Sequence, residues 1–184
     1  QTRFYRNKLE YTFSNKRWLT KEEINSDKDF DNRNALGFHI PGQFDKVLNI
    51  DKCYHQADPS NAIRLAVKAH ADKNDLSFYD IREQKGLLRN LVIRTTSTGQ
   101  VMVILVVTQH DKTLIYPLLD DLMNQVPGIT SLNYVVNDGK NDVYIDKPIV
   151  NYAGQPYIEE QLGHVKFHVG PASFFQTNSE QAKN

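Results

Sequence analysis

Gln176 lies in the run Ser173-Phe-Phe-Gln-Thr-Asn178. An amide that both donates and accepts suits reading a base edge or holding a polar cofactor, and Phe174 and Phe175 can stack or pack beside it. An ordinary helix entry accounts for the same residues in another way, with Thr177 and Asn178 capping and the phenylalanines in the core. Cys53 is the one cysteine and therefore the one possible thiolate. It reads either as a small buried hydrophobe or, with His39 and His55, as an incomplete metal site, because no second cysteine stands at ligand spacing. Arg89 and Arg94 are expected on opposite faces of a strand, one reaching a phosphate or both edging into solvent. The adjacent carboxylates Asp120-Asp121 and Glu159-Glu160 face apart, so they read as surface charges rather than an acid-base pair.

These residues sit in a chain of 184 with 40% hydrophobic and 24% charged content and no net formal charge. That composition is globular and long enough for a sizeable core. Zero net charge provides no global field for a polyanion, so nucleic-acid contact has to come from local clusters: Arg3, Arg6 and Lys8, or Arg89 and Arg94. No apolar run reaches membrane-spanning length, and Gln1-Thr-Arg-Phe is not a signal sequence. One cysteine excludes an internal disulfide framework, which fits a cytoplasmic setting.

The elements that must position these groups can be read from periodicity. Residues 4–13 alternate, with Tyr5, Leu9, Tyr11 and Phe13 on one side and Arg6, Lys8, Glu10 and Thr12 on the other, the pattern of a half-buried strand. Residues 14–34 read as a solvated excursion tacked down by Trp18 and Leu19. Residues 35–40 and 44–50 read as strands joined by a Pro41-Gly42 turn, and a helix follows Asp58-Pro59 to about Asn74, with His70 on its face. Residues 87–95 and the near-continuous apolar run 101–108 read as strands, the second covered on both faces. A helix over 114–126 ends at Pro127-Gly128. Strands at 130–136 and 142–145 are expected to flank Asn137-Asp138-Gly139-Lys140 as a hairpin. Short strands follow at 149–153, 157–160 and 165–169. From residue 44 to 136 the order is strand, helix, strand, strand, helix, strand, as in ferredoxin-like and RNA-recognition folds. The fold class is therefore α+β, a mostly antiparallel sheet with two helices and added hairpins. A helix start at Asn178, with Glu180 and Gln181 in its first turn, implies a chain that continues beyond Asn184.

Six stretches carry a family resemblance: Phe4-Tyr-Arg-Asn-Lys8, Leu36-Gly-Phe-His39, Asp51-Lys-Cys53, Gly86-Leu-Leu-Arg-Asn90, Asn141-Asp142 and Ser173-Phe-Phe-Gln-Thr-Asn178. In this set and order the chain resembles the S-adenosylmethionine-dependent RNA (uracil-5-)methyltransferases, which act on ribosomal or transfer RNA. The resemblance implies a central RNA-holding domain over residues 1–170 and the start of the catalytic domain over 171–184. It places Gln176 at a contact to S-adenosylmethionine, Cys53 at one of four ligand positions of a 4Fe-4S cluster whose other ligands are absent here, and Arg6, Lys8 and Arg89 toward RNA. It supplies neither the catalytic cysteine nor the base, so this chain is expected to be inactive alone. Membrane and DNA partners are not expected. The competing expectation is a stand-alone, non-catalytic RNA-binding module.

Overall fold

The computed structural model describes residues 2–26, 30, 32–179 and 181. The elements are β1 (Lys8–Ser14), α1 (Lys21–Ile24), β2 (Ala35–Ile40), β3 (Gln43–Asn49), α2 (Ser60–Lys73), β4 (Leu88–Thr95), β5 (Val101–Val107), α3 (Lys112–Gln125), β6 (Ser131–Val136), β7 (Ile149–Gly154), β8 (Ile158–Leu162) and β9 (Val165–Val169). Seven strands form one sheet in the order β3-β2-β1-β4-β5-β6-β7, and β8 and β9 make a separate hairpin. Every pairing in the large sheet is antiparallel except β5 with β6, which α3 connects as a crossover. The fold is α+β with a mostly antiparallel sheet, as expected. Its strand order is not ferredoxin-like, because β3 lies at the sheet edge and β1 and β2 separate it from β4.

Side-chain alternation builds two cores. Leu9, Tyr11 and Phe13 of β1, Leu91 and Ile93 of β4, and Val103 and Leu105 of β5 face α2 and α3, whose Ile63, Val67, Leu118 and Leu119 are buried against them. Each such buried aliphatic contributes about 2 kcal/mol. On the opposite face Val92, Met102, Ile104 and Val106 pack under Tyr144 and under Ile158 and Val169 of the small hairpin. All seven residues of β5 are buried, which is why that strand reads as continuously apolar.

Several expected elements shift. β1 starts at Lys8, because Phe4 has φ 54° and the Phe4 and Arg6 amides donate instead to Tyr54 O and His55 O. α2 begins after Pro59, and Asp58 Oδ1 still caps it by accepting from the Asn61 amide. No strand forms at 142–145, and β6 pairs with β7 instead. The loop that replaces the expected hairpin is held by side chains: Asn137 Nδ2 donates to Asn141 O and Val143 O. The excursion after β1 contains α1, closed by a capping box between Thr20 and Glu23, and the Trp18 amide bonds to Val47 O of β3. Parts of that excursion (27–29 and 31), and Glu180 of the expected helix start, lie outside the described residues. The neighbouring Asn178 does act as expected there, its Oδ1 accepting from the Gln181 amide.

Candidate functional site

β1 pairs with β4 over its first five residues but with β2 only at Thr12, Phe13 and Ser14. The last β1–β2 pair is Thr12 with Gly37, where a Cβ would lie 1.9 Å from Leu48 O, so only glycine lets the three strands approach there. Beyond that point β2 leaves β1, and a cleft of about 490 Å³ opens along the first half of β1. Phe38, stacked on Tyr11 at 5.1 Å, belongs to its wall, with Tyr5 and His55 meeting edge-to-face at 5.5 Å. Arg6, Lys8 and Glu10 line the β1 side, and Thr177 adds the C-terminal segment.

Asn7 fastens that segment. Its amide donates to Thr177 O at 2.8 Å, its Nδ2 to Gln176 O and to Ser179 Oγ at 2.7 Å each, and its carbonyl accepts from the Thr95 amide. Arg94 Nη2 donates to Ser173 O at 2.7 Å. Ser179 Oγ in turn donates to Glu160 Oε2 at 2.7 Å. Glu160 is buried, 1% exposed, and its Oε1 also takes the Ser97 hydroxyl and amide, so it is not the surface charge the sequence suggests.

The polar face of β1 is crowded with charge. Lys8 stands directly across from Arg94, and burial first, then Arg94, hold its ammonium below the usual lysine range. Burial raises the Glu10 carboxyl, with Lys8 opposing. Burial likewise raises the Tyr144 phenol, which lies beside Arg94 and Glu10.

Of the residues expected to form a site, Arg6 and Lys8 meet in the cleft, and Gln176 sits beside it through its neighbour Thr177. The Gln176 side chain is exposed and makes no hydrogen bond within the described residues. Phe174 is 86% exposed, and Phe175 packs edge-to-face on Phe167 at 5.8 Å.

Arg89 is elsewhere. A β-bulge between Leu88 and Asn90 turns it toward the same loop-covered side as Arg94, so the two do not take opposite faces. Arg89 is 2% exposed, and its guanidinium donates to Asn137 O, Gly139 O, Asn141 O and Asp142 Oδ1 while lying over the Tyr79 ring. It anchors a loop and has no donor to offer a phosphate.

Cys53 is 4% exposed within the helix-side core, its backbone held by Asn61. Among the described residues no three His, Cys, Asp or Glu gather to hold a metal ion, so Cys53 does not hold a cluster with residues of this chain alone. His39 and His55 therefore do not join it in a site.

Periodicity does not single out Asn7, Glu10 or Glu160. The one sequence hint is that Asn7 falls inside one of the six resembling stretches.

Curated proteins are similar to this chain over nearly all of its length. No family model matches the chain. An uncharacterized RNA methyltransferase of Bacteroides thetaiotaomicron is 51% identical over all of this chain and 41% of its own length. One from Porphyromonas gingivalis is 49% identical over 99% of this chain and 40% of its own. The chain thus spans about two fifths of the curated relatives it matches. It belongs to the RNA methyltransferase family. A solved structure that shares its fold is that of Pyrococcus abyssi tRNA (uracil-54, C5)-methyltransferase in complex with S-adenosyl-L-homocysteine, with a TM-score of 0.71 and 27% identity, covering 97% of this chain and 38% of that one. Among the described residues no helix is long and apolar enough to cross a membrane.

Proposed function

We propose that this chain is the RNA-holding part, residues 1–170, and the opening of the cofactor-binding part, 171–184, of an enzyme that transfers a methyl group from S-adenosylmethionine to C5 of a uridine in transfer or ribosomal RNA. The observation that carries the reading is the shared fold with the uracil-54 enzyme over 97% of the chain. The cleft supports it, because cationic Arg6 and Lys8 open on the same space as the segment that carries Gln176.

Within this reading Arg6 contacts the phosphate backbone, which positions RNA without reading its sequence. A uridine must leave its stack to meet the methyl donor, and a cleft of about 490 Å³ with aromatic walls offers room for a displaced base. Gln176 presents its amide to the cofactor, and Asn7 fixes the backbone from which that amide projects. S-adenosylmethionine supplies the methyl group. Addition to C6 of uracil by a thiolate and removal of the C5 proton by a base belong to residues outside this chain, because Cys53 is buried in the core.

The test is incubation of the full-length gene product with unmodified RNA and labelled S-adenosylmethionine, followed by nucleoside mass spectrometry. The expected product is 5-methyluridine. Methyl transfer to another base or to ribose overturns the reading.

A further inference from the structure

Lys8 and Glu10 are the two charged side chains of β1 that open on the cleft, and both are half-buried. Neither side chain has a hydrogen-bond or ion-pair partner among the described residues. Lys8 Nζ lies over the face of the Tyr144 ring, 6.0 Å from its centre, with Arg94 and Glu10 near enough to act on its charge. Ionisable groups drawn partly out of water ordinarily find partners, because desolvation without compensation is unfavourable. The opposite shifts of Lys8 and Glu10 reflect that loss of solvent. Glu160 is engaged by Ser97 and Ser179 and Arg89 by the 137–142 loop, whereas Arg94 Nε and the Tyr144 hydroxyl beside Lys8 are buried without a partner among the described residues. Glu160 and Arg89 have structural work, while Lys8 and Glu10 present a donor and an acceptor to an open space.

Residues two apart on a strand share a face, with Cα atoms roughly 6.6 Å apart. Their side-chain ends therefore reach neighbouring atoms of one small planar group. The matching group has an acceptor beside a donor. The imide edge of uracil is such a group, with its N3–H between two carbonyl oxygens. Tyr5, Phe38 and His55 supply flat or apolar surface for the ring.

We propose that Lys8 and Glu10 form a base-edge reader for uracil, Glu10 accepting from N3–H and Lys8 donating to an adjacent carbonyl oxygen. The inference rests on the RNA reading above and adds a specificity determinant to it. Seated as uracil is, cytosine places an acceptor at N3 and sets a lone pair against the Glu10 carboxylate, so to bind it has to shift until N4–H meets Glu10 and N3 meets Lys8. A methyl group on N3 of uracil removes the bond to Glu10 without changing the ring.

The experiment measures dissociation constants of the full-length gene product for single-stranded RNA oligomers that differ at one nucleoside: uridine, cytidine, guanosine or 3-methyluridine. Uridine is expected to bind about tenfold or more tighter than the other three. In Glu10→Gln, whose amide serves either pyrimidine, the uridine-to-cytidine ratio is expected to fall to about twofold or less. Equal wild-type affinity for uridine and 3-methyluridine, a preference for guanosine, or an unchanged ratio in the variant overturns the inference while leaving the RNA reading intact. The 3-methyluridine comparison uses wild-type protein only, so a folding defect in the variant does not blunt it. Failure to bind any of the four at low salt overturns the RNA reading and the inference together.

Discussion

Asn7 Nδ2 lies 2.7 Å from Ser179 Oγ, so a residue just before the first strand ties down the far end of the chain. The same amide group also reaches Gln176 O. Asn7→Asp keeps the shape and removes both side-chain donors, setting a carboxylate oxygen against a carbonyl. We expect a loss of about 1–3 kcal/mol in urea unfolding. The Michaelis constant for S-adenosylmethionine is expected to rise several-fold in the full-length gene product. A stability loss with no kinetic change would leave Asn7 a structural tie with no influence on Gln176.

Among the described residues the Gln176 side chain has no hydrogen bond to lose, and its carbonyl is the group held. Gln176→Ala is therefore expected to unfold within about 0.5 kcal/mol of wild type, as exposed substitutions do. Its Michaelis constant for S-adenosylmethionine should increase about tenfold, the loss of one hydrogen bond of about 1 kcal/mol or more. Steady-state kinetics at saturating RNA provides the check, and an unchanged constant rules out the contact.

Arg6 and Arg89 separate affinity from stability. Arg6 is exposed at the cleft, so Arg6→Gln should weaken RNA binding and reduce the slope of log affinity against log salt by about one unit, with little effect on unfolding. Arg89→Met leaves the Asn137 and Gly139 carbonyls without a donor and removes one of the two donors to Asn141 O. It should cost about 3–5 kcal/mol while the salt slope of any folded protein stays as in wild type. Titrations over a salt series, paired with urea denaturation, distinguish the two; a lowered slope in Arg89→Met would contradict its assignment as a loop anchor.

Asp80 gives the fold an acid limit. Burial alone would raise its carboxyl, but hydrogen bonds from Lys16, from the Glu83 amide, from Asn15 and from the Arg82 amide outweigh that and bring it from 3.8 to about 2. A carboxyl depressed on folding adds stability that is fully present above its unfolded value and is lost as pH falls through its folded one. The contribution, about 2 kcal/mol, should therefore fade between about pH 4 and pH 2. Asp80→Asn should remove that limb, and urea unfolding across this pH range should give a flatter profile than wild type. Parallel profiles would exclude Asp80 as its source.

The sequence exposes elements whose signal is local. The apolar run of β5, the Pro41-Gly42 turn and both long helices fall where periodicity puts them. The strand expected at 142–145 fails because Asp138-Gly139 is a strong turn signal, whereas the bonds that shape this loop come from Asn137 and from Arg89, far away in sequence. Strand order is hidden for the same reason, as β1 finds its main partner in β4. Arg89 and Glu160 look like surface charges by residue type, and only their partners reveal them as buried anchors. Thr20 and Glu23 close α1 with a capping box inside the stretch that reads from sequence as a solvated excursion. At the site, Arg6 and Lys8 were legible as a cationic pair, but the departure of β2 at Gly37 that makes their cleft was not.

The long-range pairing of β1 also sets an order of assembly on the ribosome. Of these strands β1 emerges first, yet among the described residues Lys8, Leu9 and Glu10 pair only with Arg94, Ile93 and Val92 of β4. The β2–β3 hairpin closes locally, while β1 must wait for β4 to be synthesised. Asn7 waits longer still, until residues 176 to 179 arrive. The cleft is thus among the last surfaces completed, so a nascent chain holds this edge of β1 unformed until nearly all of these residues have left the exit tunnel.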